Sequence, residues 1–372
     1  MAGHTFHRSI LREYDIRGIV GETLSADDAY AIGRSFGSIV SQNRGQTVAV
    51  GYDGRHSSPG FEKILVDGLT DCGLEVIRIG LGGTPMLYFA VHDLAADAGI
   101  MVSGSHNPPN FNVFKMVLSD RPCFGQDIQG LGAVAAKSEW VSGSGYSHNC
   151  MMIEKYVARI LEDYTSPRGL KVAWDPGNGA AGPAMEKLIE SLPGNHYSLN
   201  SEVNGDFPSH HPDPTVPECL EQLQTEVAKR SCDVGIAFDG DGDRIGVIDD
   251  EGEILWGDQL MVLFAADVLA SKPNSTIIAD VKASQVLFDE ISRMGGKPEM
   301  WRTGHSLIKS RMIETGAPLA GEMSGHIFFA DKWFGFDDGL YAAVRLLSYL
   351  GKQNKPLSEI RADLPKVYTL PR

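Results

Sequence analysis

Three apolar runs punctuate the chain in the same way. They are Thr47-Val-Ala-Val-Gly-Tyr-Asp53, Leu170-Lys-Val-Ala-Trp-Asp175 and Ser275-Thr-Ile-Ile-Ala-Asp280. Each is apolar or β-branched and ends on an aspartate, which predicts a buried strand leading into a polar loop. Helical periodicity follows, with Phe61, Ile64, Leu65 and Leu69 on one face after the first run and Val286, Leu287 and Ile291 after the third. Such stripes turn a helix towards a core rather than towards a ligand. The aspartates recur at roughly one domain length, too long for a solenoid repeat. A second apolar run in each unit ends in a Gly-rich or polar loop: Ala98 to Pro108, Cys232 to Asp243, and Ala317 to His326. Ligands of α/β sheets gather at strand ends, so three such units facing one another would bring these loops into one cleft. The expected fold is therefore α/β, three consecutive similar domains with mixed sheets covered by helices around a central cleft. Turn-rich or polar sequence near Asn149 to Glu154 and Glu251 to Trp256 places the boundaries at 1–150, 151–253 and 254–366.

Composition narrows the partners. The 372 residues are 42% hydrophobic, enough to fill several cores. A net charge of −15 argues against nucleic acid or an anionic membrane as main partner, since both need basic surface. The five cysteines, Cys72, Cys123, Cys150, Cys219 and Cys232, form no CxxC pair and are odd in number, so neither a zinc site nor a disulfide framework is indicated. Residues 1–14 lack an apolar segment, and Leu260 to Ala270 is interrupted by Asp267 and too short to span a bilayer. A reducing, cytoplasmic setting with no membrane targeting is the expectation.

The chemistry sits in the loops. In Asp239-Gly-Asp-Gly-Asp-Arg244 three carboxylates alternate with glycines directly after the apolar Val234 to Phe238. Carboxylates this close repel unless a hard divalent cation collects them or water solvates each one, so a cation loop and an acidic surface turn both remain open. An EF-hand is excluded: Arg244 stands at the sixth position, where glycine is required, and Asp250 at the twelfth, where glutamate is. Ser105 lies between Gly104 and His106, just before Asn107-Pro108-Pro109, either as an exposed nucleophile or as the cap of a turn. Ser103 and Asn107 occupy the glycine positions of a Gly-x-Ser-x-Gly elbow, which disfavours a serine hydrolase. Gly321-Glu-Met-Ser-Gly-His326 carries a carboxylate, a hydroxyl and an imidazole suited to vicinal sugar hydroxyls, or forms an ordinary turn. Arg17, Arg244, Lys282, His305 and Lys309 add donors at other loop ends, either as a phosphate pocket or as solvated surface charges.

Taken together these motifs resemble the α-D-phosphohexomutases, most closely the bacterial phosphomannomutase/phosphoglucomutase branch. The resemblance spans the chain and is carried by Tyr14 to Gly18, Ser103 to Pro109, Asp239 to Arg244, Asp280 to Ser284, Thr303 to Lys309 and Gly321 to His326. It implies that Ser105 carries a phosphoryl group, and that Asp239, Asp241 and Asp243, with Ser105 or its phosphate, hold Mg²⁺. It implies Arg17, His106, Lys115 and Arg244 lining the transfer site, with Lys115 or His326 moving protons. Tyr14, Lys282, Gly304 and His305 would bind substrate, and Glu322 and Ser324 would read sugar O3 and O4. The implied reaction is reversible interconversion of hexose 1-phosphate and hexose 6-phosphate, with hexose 1,6-bisphosphate as intermediate and activator and small sugar phosphates as the only partners of a monomer.

Within that family, Met323 fits the mannose/glucose branch, while a phosphoglucosamine mutase and a non-catalytic sugar-phosphate binder remain alternatives. Two departures stand out. Val113 occupies a position where the family has glycine and is expected to stiffen or redirect Lys115. The family's fourth domain has no counterpart in the sequence, so residues 367–372 read as the start of a linker towards it, and turnover is expected to be impaired.

Overall fold

The computed structural model describes residues 3–119 and 121–365; the expected end of the third unit at 366 and the linker at 367–372 lie outside the described residues. Three mixed sheets follow one another along the chain. In the first, β1 (Ile16–Ile19), β2 (Thr47–Tyr52), β3 (Glu75–Leu81), β4 (Ala98–Val102), β5 (Phe111–Leu118) and β6 (Tyr146–Asn149) are arranged in the order β1-β5-β4-β2-β3-β6. The second combines β7 (Leu170–Asp175), β8 (Gly194–Ser198), β9 (Val234–Phe238), β10 (Ile245–Asp249) and β11 (Ile254–Leu255) in the order β11-β10-β9-β7-β8. The third is β13-β12-β14-β15, built from β12 (Thr276–Asp280), β13 (Lys297–Trp301), β14 (Leu319–Gly321) and β15 (Ile327–Phe329).

One plan recurs. The strand that ends on or directly before an aspartate (β7 and β12 on Asp175 and Asp280, β2 before Asp53) pairs in parallel with two neighbours. One neighbour (β4, β9, β14) then turns back into an antiparallel partner (β5, β10, β15). The three connections at that turn are residues 103–110, 239–244 and 322–326, the loops that carry the unusual residues. The sequence repeat therefore places three chemically different loops at one topological position.

The three units share an apolar interior. Leu87 and Phe89 of the first, Trp174 and Phe238 of the second, and Phe264, Phe329 and Tyr341 of the third belong to one buried cluster. Burial of this kind supplies most of the stability and fixes how the sheets face one another.

Asp338 is a polar joint in that interior. It caps the helix Gly339–Gly351 by accepting from the Tyr341 N–H at 2.9 Å, and the Tyr156 hydroxyl donates to its carboxylate at 2.9 Å. Burial pushes its pKa up to about 7 despite those donors. Its folded-state pKa is thus above its ordinary value, so the folded state binds the proton more tightly. The stability this confers is complete below the ordinary carboxylate range and is lost as pH rises through about 7. Asp338→Asn, which keeps an acceptor for the cap but cannot ionise, should lack that fall. Thermal midpoints of the two proteins measured from pH 4 to pH 8 should diverge with rising pH; a constant offset would contradict the assignment.

Candidate active site

Ser105 sits on the β4–β5 connection with its backbone in the left-handed region at φ +48° and only 5% of its surface exposed. Its Oγ donates to Asp239 Oδ2 at 2.7 Å and lies 3.1 Å from His106 Nδ1. The hydroxyl therefore points across to the second unit instead of capping its own turn. Arg55, which follows β2, collects the carbonyls of Ser105, Asn107, Pro108 and Phe111 and forms an ion pair with Asp53 at 3.3 Å. Asp53 also accepts from the Gly104 N–H at 2.8 Å, so the aspartate directly after β2 ties down the start of the loop. Arg17 on β1 reaches Asn107 Oδ1 at 3.1 Å, while its Nε is buried without a partner.

Facing Ser105, Asp239, Asp241 and Asp243 are 0–1% exposed, which sets aside a solvated acidic turn. The loop is held from the first unit. Thr84 donates its N–H to Asp241 O at 3.0 Å and its hydroxyl to Asp241 Oδ2, and Ser103 Oγ donates to the same oxygen at 3.0 Å. Lys115 Nζ lies 2.6 Å from Asp241 Oδ2 and 2.7 Å from Asp243 Oδ2. Val113 does not redirect it: the residue sits in regular antiparallel register opposite Arg17, and Lys115 still reaches both carboxylates.

Electrostatics follow from this packing. Burial disfavours a charged Lys115, but Asp241 and Asp243 outweigh it and hold its pKa well above the usual range. Burial likewise opposes ionisation of Asp241, and the Lys115 ammonium overrides it, keeping that carboxyl well below the ordinary range. Asp239 is raised well above, first by burial and then by Asp243 and Asp241. Such a cluster of buried carboxylates beside Lys115 and Arg244 could also hold a cation. Asp239, Asp241 and Asp243 each offer an oxygen, all within 4.8 Å of one another, and Asp241 Oδ1 and Asp243 Oδ1 are buried without a hydrogen-bond partner. An all-oxygen donor set of this kind fits a hard divalent ion.

The third loop closes the cleft. Arg244 forms a backbone bridge to His326, and Ile245 donates to Gly325 O at 3.0 Å. Arg244 Nε donates to His326 Nε2 at 3.0 Å; since a guanidinium can only donate, Nε2 accepts and the imidazole proton resides on Nδ1. That nitrogen is 2.9 Å from Asp337 Oδ2 and 3.6 Å from Asp243 Oδ1. In that tautomer Nδ1 has no lone pair to offer a cation among Asp243, His326 and Asp337. Lys309 pairs with Asp337 at 2.9 Å, and His305 stacks on His326. Burial, then Lys309, keeps His305 well below the usual imidazole range. Glu322 accepts from the Gly304 N–H at 2.6 Å and from Ser324 Oγ at 3.1 Å. Asp280, ending β12, accepts from the Met323 N–H and from Thr303 Oγ1, so it laces two loops together as Asp53 does in the first unit. Tyr14 approaches Gly304 so closely that a Cβ there would lie 2.7 Å from its hydroxyl, and Gly304 has φ +135°, so glycine is required on both counts.

Ser105, His106, Lys115, Arg17, Asp239, Asp241, Asp243, Arg244 and His326 thus form one connected group, joined at its edge by Tyr14, Gly304, His305, Glu322 and Ser324. Lys282 stands apart, exposed beyond the end of β12. Arg55, Thr84, Ser103 and Asp337 complete the network without having been expected there. An arginine two residues past the aspartate that follows an apolar run was the available signal for the first; the others are visible only once the units meet.

Three family models match the chain: phosphoglucomutase/phosphomannomutase, alpha/beta/alpha domain I over residues 8–139, domain II over 154–252 and domain III over 256–368. The phosphomannomutase/phosphoglucomutase of Pseudomonas aeruginosa is 46% identical over 368 residues, covering 99% of this chain and 79% of that protein. The phosphoglucomutase of Neisseria gonorrhoeae is 42% identical, covering 98% of this chain and 79% of its own length. Among solved structures, a phosphoglucomutase/phosphomannomutase family protein from Burkholderia thailandensis superposes with a TM-score of 0.95 at 43% identity, covering 99% of this chain and 82% of the other.

Proposed function

The chain belongs to the phosphoglucomutase/phosphomannomutase family, and from that premise we propose that it shuttles a phosphoryl group between the 1- and 6-positions of mannose and glucose by way of Ser105. It is a phosphohexomutase, an isomerase that works by phosphotransfer. The observation that carries the residue assignment is the 2.7 Å contact between Ser105 Oγ and Asp239, across the boundary between two units and beside carboxylate oxygens that lack partners. When bound, Mg²⁺ would be held by one oxygen of each of Asp239, Asp241 and Asp243 together with Ser105 or its phosphate, and would neutralise charge on the transferring group.

The chain's own groups do the remainder. Phosphoryl transfer depends mainly on position and electrostatics, and Arg17, His106, Lys115 and Arg244 would line the transfer site, three of them as cations. When Ser105 takes up a phosphoryl group its hydroxyl proton must leave, and the hydroxyl already donates to Asp239 Oδ2 at 2.7 Å, with His106 Nδ1 at 3.1 Å beside it. Burial, then Arg244, lowers the His106 pKa to about 3, so the imidazole is neutral and only weakly basic, a hydrogen-bonding neighbour of Ser105 rather than the resting place of its proton. Lys115, charge-locked between two carboxylates, supplies positive charge, and His326, with Arg244 on one nitrogen and Asp337 beside the other, orients Arg244. We assign these two residues those roles in preference to moving protons. Phosphoserine would pass its group to the free hydroxyl of a hexose monophosphate, giving a 1,6-bisphosphate that turns over and returns its other phosphate. Tyr14, Gly304, His305, Glu322 and Ser324 would hold the ring, with Lys282 at the rim.

Glu322→Gln tests the sugar loop. One amide N–H would face either the Gly304 N–H or the Ser324 hydroxyl, where two acceptor oxygens now stand. KM for glucose 1-phosphate should rise about tenfold, with a smaller fall in kcat from misplacement. Parallel assays on mannose, glucose and glucosamine phosphates test the substrate class: turnover confined to the glucosamine pair would overturn the mannose/glucose reading.

A further inference from the structure

Arg55 is 1% exposed. Its Nη1 donates to Pro108 O at 2.6 Å and Phe111 O at 3.3 Å, and its Nη2 to Asn107 O at 2.5 Å and Ser105 O at 2.8 Å. The loop is wound around this side chain: a Cβ on Gly104 would run into the guanidinium itself. Four inward-facing carbonyls leave Ser105 in the left-handed region, at φ +48°, which an L residue other than Asn or Asp seldom adopts without support from its surroundings.

We propose that Arg55 is a positioning residue for phosphoryl transfer, its guanidinium fixing the carbonyls of the 105–111 loop so that Ser105 Oγ is held against the acidic loop, and that Phe207 of the second unit is the lid that keeps the guanidinium dry. The lid is visible in the packing. The Arg55 guanidinium carbon lies 5.2 Å from the centre of the Phe207 ring, and Gly205 leaves just enough room, since a Cβ there would be 3.0 Å from Arg55 Cα. Asp53, 3.3 Å away, balances the charge. Only a dehydrated guanidinium prefers carbonyl oxygens to water, so the geometry of Ser105 is coupled to docking of the unit that brings the metal-binding carboxylates. Lysine cannot replace it, because an ammonium concentrates its donors at one point and cannot span four carbonyls.

The inference rests on Ser105 as the phosphoryl carrier, and the test separates the two. Wild type, Arg55→Met, Arg55→Lys, Arg55→Ala and Phe207→Ala would be compared by labelled phosphate transfer from glucose 1,6-bisphosphate, by kcat and KM, by thermal midpoint, and by amide hydrogen exchange of residues 103–111. Arg55→Met should slow phosphorylation of Ser105 by about a hundredfold while KM changes less than about threefold. Faster exchange should be confined to 103–111, guanidinium ion added at millimolar levels should restore part of the rate to Arg55→Ala, and Phe207→Ala should fall between wild type and Arg55→Met. Wild-type transfer rates in Arg55→Met, or exchange that rises throughout the first unit with no response to guanidinium, would overturn the proposal. If wild type takes no phosphate at Ser105, the carrier assignment fails, while unchanged exchange at 103–111 in the Arg55 variants would refute the positioning role on its own.

Discussion

Replacing Ser105 by alanine should remove mutase activity by at least about 10⁴-fold, ~5 kcal/mol of barrier, while leaving the fold intact. The loss is large because the hydroxyl is the acceptor in one half-reaction and the donor in the other, and Ser103 Oγ is already engaged, donating to Asp241 Oδ2 and accepting the Ser105 N–H. The fold should survive because Ser105 Oγ bonds neighbours within the site, Asp239 and His106 among them, while its loop is held by backbone carbonyls on Arg55 and by Asp53. Ser105→Gly makes a sharper comparison: it should be equally inactive, yet at least as stable, since glycine adopts φ +48° without strain. Steady-state assays and thermal midpoints read both. Residual turnover in Ser105→Ala within about tenfold of wild type would mean that the phosphoryl group travels by another residue.

Asp241→Asn should have the next largest effect. Lys115, Ser103 and Thr84 all donate to Asp241 Oδ2, so the asparagine would have to keep its oxygen there and turn its NH₂ into the position of Oδ1, the partnerless oxygen available to a cation. Loss of a group one shell beyond a metal commonly costs about 10–100-fold in affinity or activity, and loss of a ligand should exceed that. Mg²⁺ titration followed by calorimetry and by activity should show both quantities falling together. Unchanged Mg²⁺ affinity would remove Asp241 from the ligand set.

How much of this was legible in the sequence depends on distance along the chain. β2, β7 and β12 announce themselves as apolar runs ending on aspartate, because a strand buried on both faces needs continuous apolar residues. The edge strand β13, Lys-Pro-Glu-Met-Trp, has no such run and goes unseen, as does the four-residue β6. The acidic loop stood out because three carboxylates within five residues follow an apolar strand, and its burial in the structure decides against a surface turn. By contrast Lys309 and Asp337 each look like surface charges in isolation; they form a buried pair only when a helix and the turn before another helix meet. Thr84 carried no signal, since its partner Asp241 belongs to another unit. Local chemistry reached the sequence reader, and the contacts between units that assemble it did not. The three strand-end aspartates lie between these cases. Their pattern was visible, but that Asp53 and Asp280 each tie down the functional loop of their own sheet followed only from the hydrogen bonds.

The central claim is that one phosphoryl group passes through Ser105. The most direct measurement incubates the protein with glucose 1,6-bisphosphate labelled in its phosphates, removes free sugar, maps the labelled peptide by mass spectrometry, and then adds unlabelled glucose 1-phosphate or mannose 1-phosphate. The account predicts a single labelled site at Ser105 that is discharged to the added sugar phosphate within one turnover. Label at Ser103 or elsewhere, or label on Ser105 that the sugar phosphate does not remove, would contradict it.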